Sequence, residues 1–156
     1  MAIAIKHIDK IAREKQRTVL SLEFHPEPTF HSNCIDTQED HDKWRESVNR
    51  ISAYKYREDK VRDEILENLT KLNIPYEMCA EWASESGFSS YKGQVYLDVP
   101  LDLDLPLCQK LHQYLEYPDG SMRFPTVRFY FWTLEVAMKN AHHDEPGFWD
   151  NWAENF

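Results

Sequence analysis

A chain of 156 residues is long enough to bury a core without disulfides or metals, and 29% charged against 42% hydrophobic residues excludes a disordered or fibrous class. Its 27 acidic residues outweigh 18 basic ones for a net charge of −9, which repels phosphate backbones and anionic membranes and disfavours direct nucleic-acid binding. Cys34, Cys79 and Cys108 are widely spaced with no Cys-x-x-Cys pair, no run approaches the roughly 20 apolar residues of a membrane span, and residues 1–15 lack the apolar centre of a signal peptide, so one cytoplasmic domain over residues 1–156 is expected.

Taken in order, Ile5, Ile8, Ile11 and Ala12 recur at helical spacing within residues 4–16, with Lys6, Asp9, Lys10 and Arg13 facing away, which predicts a short amphipathic helix. Residues 17–25 alternate instead: Leu20, Leu22 and Phe24 against Val19, Ser21 and Glu23, the pattern of a half-buried strand. Pro26 and Pro28 open a loop. Asp36 with Glu39 three residues on reads as a capping box for the longest helical pattern, in which Trp44, Val48, Ile51 and Tyr54 form one apolar stripe and Val61, Ile65, Leu69 and Leu72 another. The polar gap at residues 55–60 leaves two arrangements open, one long helix or two that meet near Tyr56 to Asp59.

Beyond Pro75, residues 76–83 alternate with Glu77, Cys79 and Glu81 on one face, and residues 94–99 carry Val95, Leu97 and Val99, so the two predict a hairpin with a serine- and glycine-rich tip. Asp104 and Pro106 introduce a helix whose face is Leu107, Cys108, Leu111, Tyr114 and Leu115. Tyr117-Pro118-Asp119-Gly120 is a type I turn signature, with a small hairpin about it as the competing reading. Residues 126–136 are the longest β-branched and aromatic run, apolar on both faces and therefore expected to be a central strand. The order strand, helix, strand, strand, helix, strand is that of the ferredoxin-like, split βαβ arrangement: an α+β fold with an antiparallel sheet carrying helices on one face. The N-terminal helix, the C-terminal aromatic tail or a partner is then needed to cover the other face.

Catalytic motifs are missing from the sequence: no Gly-x-Ser-x-Gly, no phosphate-cradling glycine loop and no His-Glu-x-x-His. His31, Cys34 and His41 offer imidazole and thiolate ligands, but only the His31/Cys34 pair has zinc-site spacing, so zinc and a metal-dependent hydrolase are the minor alternative. His142, His143, Asp144 and Glu145 are a denser cluster, with a carboxylate there expected to cap the helix begun by Pro146. Phe148, Trp149, Trp152 and Phe156 fall at helical spacing, and Glu77, Glu81, Glu85 and Asp98 gather acid on the predicted hairpin. Acidic charge, aromatic content and absent catalytic motifs lead to a non-enzymatic protein-binding domain of inhibitor or immunity type. Such a domain occupies a basic or nucleic-acid-binding surface of its partner through Glu77, Glu81, Glu85, Asp98, Phe148, Trp149 and Trp152. A structural homo-oligomer, at its simplest a homodimer, is the third reading.

Overall fold

The computed structural model describes residues 6–28, 37–79 and 91–155. Strands β1 (Val19–Phe24), β2 (Tyr76–Met78), β3 (Val95–Leu97) and β4 (Val127–Trp132) form one antiparallel sheet in the order β2-β3-β1-β4. Cα partners run Leu20 to Leu97 between β1 and β3, Leu20 to Phe131 between β1 and β4, and Tyr76 to Leu97 between β2 and β3. The fold class is thus α+β, as the element order predicts.

Helices cover both faces, where the sequence predicts one. Helices α3 (Lys60–Lys71) and α4 (Pro106–Leu115) bring Ile65, Leu69, Leu111 and Leu115 onto Leu20, Leu22, Phe24, Val95, Leu97 and Val127. On the opposite face, α1 (Ile8–Lys15) and α5 (Leu134–Lys139) bury Ile11, Ala12 and Ala137 against Val19 and Tyr96. The N-terminal helix is therefore a lid of the second face. This explains why Val19 and Ser21 are buried although their face of β1 reads as the polar one. Each fully buried Leu or Ile in these layers is worth about 1.5–3 kcal/mol of transfer free energy.

Three local expectations are corrected. The run that looks central is the edge strand β4, and it stops at Trp132 because the Thr133 hydroxyl accepts a hydrogen bond from Val136 N–H and starts α5. The capping box at α2 (Gln38–Ala53) is displaced by one residue: Thr37 is the cap and Asp40 its reciprocal partner. Asp104 does not cap α4, whose cap residue is Leu105 followed by Pro106. The polar gap resolves into two helices, since α2 ends at Ala53, a 3-10 turn spans Tyr56–Glu58, and Asp59 caps α3 through Val61 and Arg62 N–H.

Helix α3 ends without glycine. Asn73 takes the left-handed conformation at φ 57°, its N–H returns to Thr70 O, and Ile74 N–H returns to Leu69 O, which is the Schellman pattern with asparagine in the glycine position. That turn drives Ile74 into the core beside Leu69 and sets the chain into β2. After α4 the Tyr117–Gly120 turn closes through Gly120 N–H to Tyr117 O. A single bridge, Glu116 to Met122, is what remains of the competing hairpin.

Candidate functional site

Two surfaces carry the residues singled out by sequence. The first lies between α1 and the C-terminal segment, a 3-10 turn at Ala141–Asp144 and α6 (Phe148–Glu154). Arg13 is its centre: the guanidinium binds Asp144 through two nitrogens at 2.7 and 2.8 Å, Asp9 at 3.1 Å and the Ala137 carbonyl at 2.7 Å. Asp144 is therefore an ion-pair partner and not a helix cap, and the Arg13 hydrogen bond holds its carboxyl below the usual carboxylate range. Buried Asp9 also takes His143 Nδ1 at 2.8 Å. Trp149 stacks flat on His7 at 3.9 Å and meets Trp152 edge-on at 5.8 Å, while Phe148 touches both His142 and His143. The histidines here are spent on carboxylate and aromatic neighbours, and no group of three or more metal-ligating side chains occurs among the described residues.

His7 makes this surface acid-sensitive. Its ring is largely enclosed and its Nε2 has no hydrogen-bond partner, so burial pushes its pKa down to about 4 even though Asp9 pulls it upward. Titratable and charged neighbours are Asp9, Lys10, Arg13 and His143, with Asp144 behind Arg13. With an unfolded value near 6.5 the unfolded chain binds the extra proton first, so stability falls as pH drops from about 6.5 to about 4 and levels below. Urea midpoints across that window should decline less steeply for His7→Phe, which keeps the stack on Trp149 and cannot titrate. An identical slope would assign the acid sensitivity to other groups.

The second surface is the rim of the β2–β3 hairpin. Residues 72–109 hold six acids, Glu77, Glu81, Glu85, Asp98, Asp102 and Asp104, against one base, Lys92. Over half of the net charge of −9 thus comes from this stretch. Glu81 and Glu85 lie outside the described residues. Glu77 is exposed on β2. Asp98 is engaged within the chain, accepting from Tyr96 Oη at 2.6 Å and pairing with Lys15 and Arg17, and the Tyr96 hydrogen bond lowers its pKa. Its N–H to Pro75 O places the loop after β3 beside the start of β2.

The same stretch of chain leaves apolar side chains unburied: Tyr76, Met78, Leu101, Leu103 and Leu105, of which Leu103 is 62% exposed. Sequence reasoning placed Tyr76 and Met78 on a strand and missed that the strand is an edge. It also read the Leu-Asp-Leu-Asp-Leu alternation only as a helix start. An alternation of leucine and aspartate with no partner strand is the signal that was available.

The remaining candidates fall elsewhere. His31 and Cys34 lie outside the described residues, and His41 is exposed on α2. Cys79 and Cys108 are buried free thiols, and burial pushes the Cys79 thiol far above its ordinary value, so it is packing rather than a nucleophile. A cleft of about 360 Å³ beside His25 is lined by Lys55 and Lys60 as well as Glu58 and Asp59, and Asp59 is already used to cap α3 and bind Tyr54 Oη. No helix among the described residues is long and apolar enough to cross a membrane. No family model matches the chain, and no curated protein or solved structure gives a significant match.

Proposed function

We propose that this chain is a non-enzymatic protein-binding domain of inhibitor or immunity type, whose partner is a basic protein met at the rim of the β2–β3 hairpin. One observation supports it above others: exposed Leu101, Leu103 and Leu105 alternate with Asp102 and Asp104 in the loop after β3, Tyr76 and Met78 are exposed on the edge strand β2, and the sequence from 72 to 109 is almost free of positive charge. Apolar anchors alternating with carboxylates suit a partner surface with Lys and Arg around an apolar centre, such as one that otherwise holds nucleic acid. Carboxylates at the rim speed encounter with such a partner and reject acidic competitors. The docked C-terminal aromatics Phe148, Trp149 and Trp152 extend this reading only as a secondary contact.

The test is capture of the partner from native lysate at low and high salt, using the wild type beside a variant carrying Leu103→Ala, Asp102→Lys and Asp104→Lys. Recovery by the wild type should fall with salt, and the variant should lose at least about tenfold in affinity, the scale of a removed hot spot. Equal recovery by both proteins, or a partner indifferent to salt, would overturn the proposal. Zinc held by His31, Cys34 and His41 is the competing reading, and elemental analysis of the purified protein separates the two.

We also read the sheet as ferredoxin-like within one domain. All neighbours being antiparallel in the order β2-β3-β1-β4, with α3 between β1 and β2 and α4 between β3 and β4, supports that reading. The two buried free thiols support a reducing, cytoplasmic setting.

A further inference from the structure

We propose that β4 is a dimerisation edge, at which two copies of this chain pair β4 against β4 about a two-fold axis through Tyr130. The hydrogen-bond parity of the sheet fixes which main-chain groups are on offer. His25 N–H donates to Thr126 O at 2.9 Å, and this pair continues the β1–β4 register of Phe24 with Val127. Hydrogen-bonded pairs alternate along an antiparallel ladder, so Arg128, Tyr130 and Trp132 direct their amides and carbonyls to β1. Val127, Phe129 and Phe131 therefore direct theirs outward, to the edge that no strand among the described residues occupies. Six residues with a single charged side chain, Arg128, and with Tyr130 39% and Phe131 46% exposed, make an edge with few of the usual guards against pairing.

A second copy fits that edge in one register better than its neighbour. Pairing centred on Phe129 would need Val127 N–H, which already donates to Phe124 O. Pairing centred on Tyr130 uses only Phe129 and Phe131, each opposite the other in the copy, and sets Arg128 across from the copy's Trp132 and not from the copy's Arg128. No two like charges face each other in this register.

The same two-fold brings an apolar stripe that the described residues leave open beside exposed apolar side chains of the copy. Helix α2 has no buried residue, and Trp44, Val48 and Ile51 on its stripe are 38–49% exposed. With Pro28 and Arg128 they line a groove at the Arg128 end of β4. Helix α5 follows the Trp132 end and leaves Val136 and Met138 exposed. Because Arg128 and Trp132 point to the same sheet face, antiparallel pairing sets the copy's α5 beside this chain's α2 groove, twice over. A strand from an unrelated protein would satisfy the edge and leave both of those surfaces bare.

Light scattering on the intact protein gives the first readout, with twice the 18.6 kDa chain mass expected. Tyr130→Lys sets two lysines across the axis and should return the mass to one chain with unchanged circular dichroism. Tyr130→Cys, in a Cys34→Ser background, should form an intermolecular disulfide on mild oxidation, since a non-hydrogen-bonded pair holds its Cα atoms about 4.5 Å apart. Arg128→Cys in the same background should not. A single-chain mass at every concentration overturns the proposal. So does a dimer that survives Tyr130→Lys and does not cross-link through Tyr130→Cys. Neither outcome bears on partner capture at the β2–β3 rim, which reports on the other edge of the sheet.

Discussion

Gly93→Ala should lower the free energy of unfolding by about 2–5 kcal/mol, the sum of a left-handed backbone strain and an overpacked contact. Gly93 sits at φ +91°, and a Cβ there would come within 2.5 Å of Tyr56 Cβ and 2.9 Å of Arg62 Nε. The tightness has a cause. Arg62, itself 8% exposed, donates from Nε to the Gly93 carbonyl at 2.9 Å, with its guanidinium 4.9 Å from the Tyr56 ring and 5.5 Å from the Phe24 ring. Glycine is thus required for the close approach as well as for the backbone angle. Urea denaturation measures the loss, and a cycle with Tyr56→Gly, which removes the clashing Cβ as well as the ring, tests its origin: the paired variant should lose less than the two single losses added. A Gly93→Ala protein within about 0.5 kcal/mol of wild type, the range of an uneventful surface change, would mean that Tyr56 does not pack where the structure has it.

Arg13→Ala is expected to cost about 3 kcal/mol, the lower end of the range for removing one member of a buried ion pair. The lower end applies because Asp144 keeps 38% of its side-chain surface and can be rehydrated, whereas Asp9, at 5%, cannot. Asp9 would then be left with the His143 ring and the Lys10 N–H as its partners. Thermal or urea unfolding gives the magnitude. Asp144→Ala combined with Arg13→Ala should cost less than the sum, and limited proteolysis should cut the C-terminal segment sooner in either variant. Unchanged proteolysis in Arg13→Ala would show that the Asp9–His143 contact and the His7–Trp149 stack hold that segment down without Arg13.

What the sequence made legible is what depends on local pattern. The alternation of residues 17–25 and the stripes of Val61–Ile65–Leu69 and Cys108–Leu111–Leu115 appear as strand or helix where periodicity places them, and of the two arrangements that the polar gap leaves open the structure has two helices. What it hid depends on distant neighbours. An apolar stripe predicts amphipathicity but not that anything covers it, and Trp44, Val48 and Ile51 are exposed. A strand apolar on both faces predicts a cover on each side but not a strand on both edges, so the pattern reads as central where β4 is an edge. Thr133 fits a β-branched run equally well as a strand residue or as a cap, and only its hydroxyl bond to Val136 N–H distinguishes the two. Of the site, the rim acids were legible as charge. The Arg13 network was not, because Asp144 lies 131 positions away.

The place of β1 in the sheet carries a kinetic consequence. It is the one strand paired on both sides within the first quarter of the chain, and its partners are late: Leu20 waits for Leu97, and Val19 waits for Trp132. At ribosomal speeds of about 5–20 residues per second, that second partner is made on the order of ten seconds after Val19. Until then a strand with apolar side chains toward both faces has two unsatisfied backbone edges, and only α1 is already available to shelter one face. Closure of the longest chain segment is then the step that completes the sheet, as expected for a fold whose contacts are distant in sequence. Conditions that slow elongation should lengthen the exposed interval, so the yield of soluble protein is set by the time between the first strand and the last.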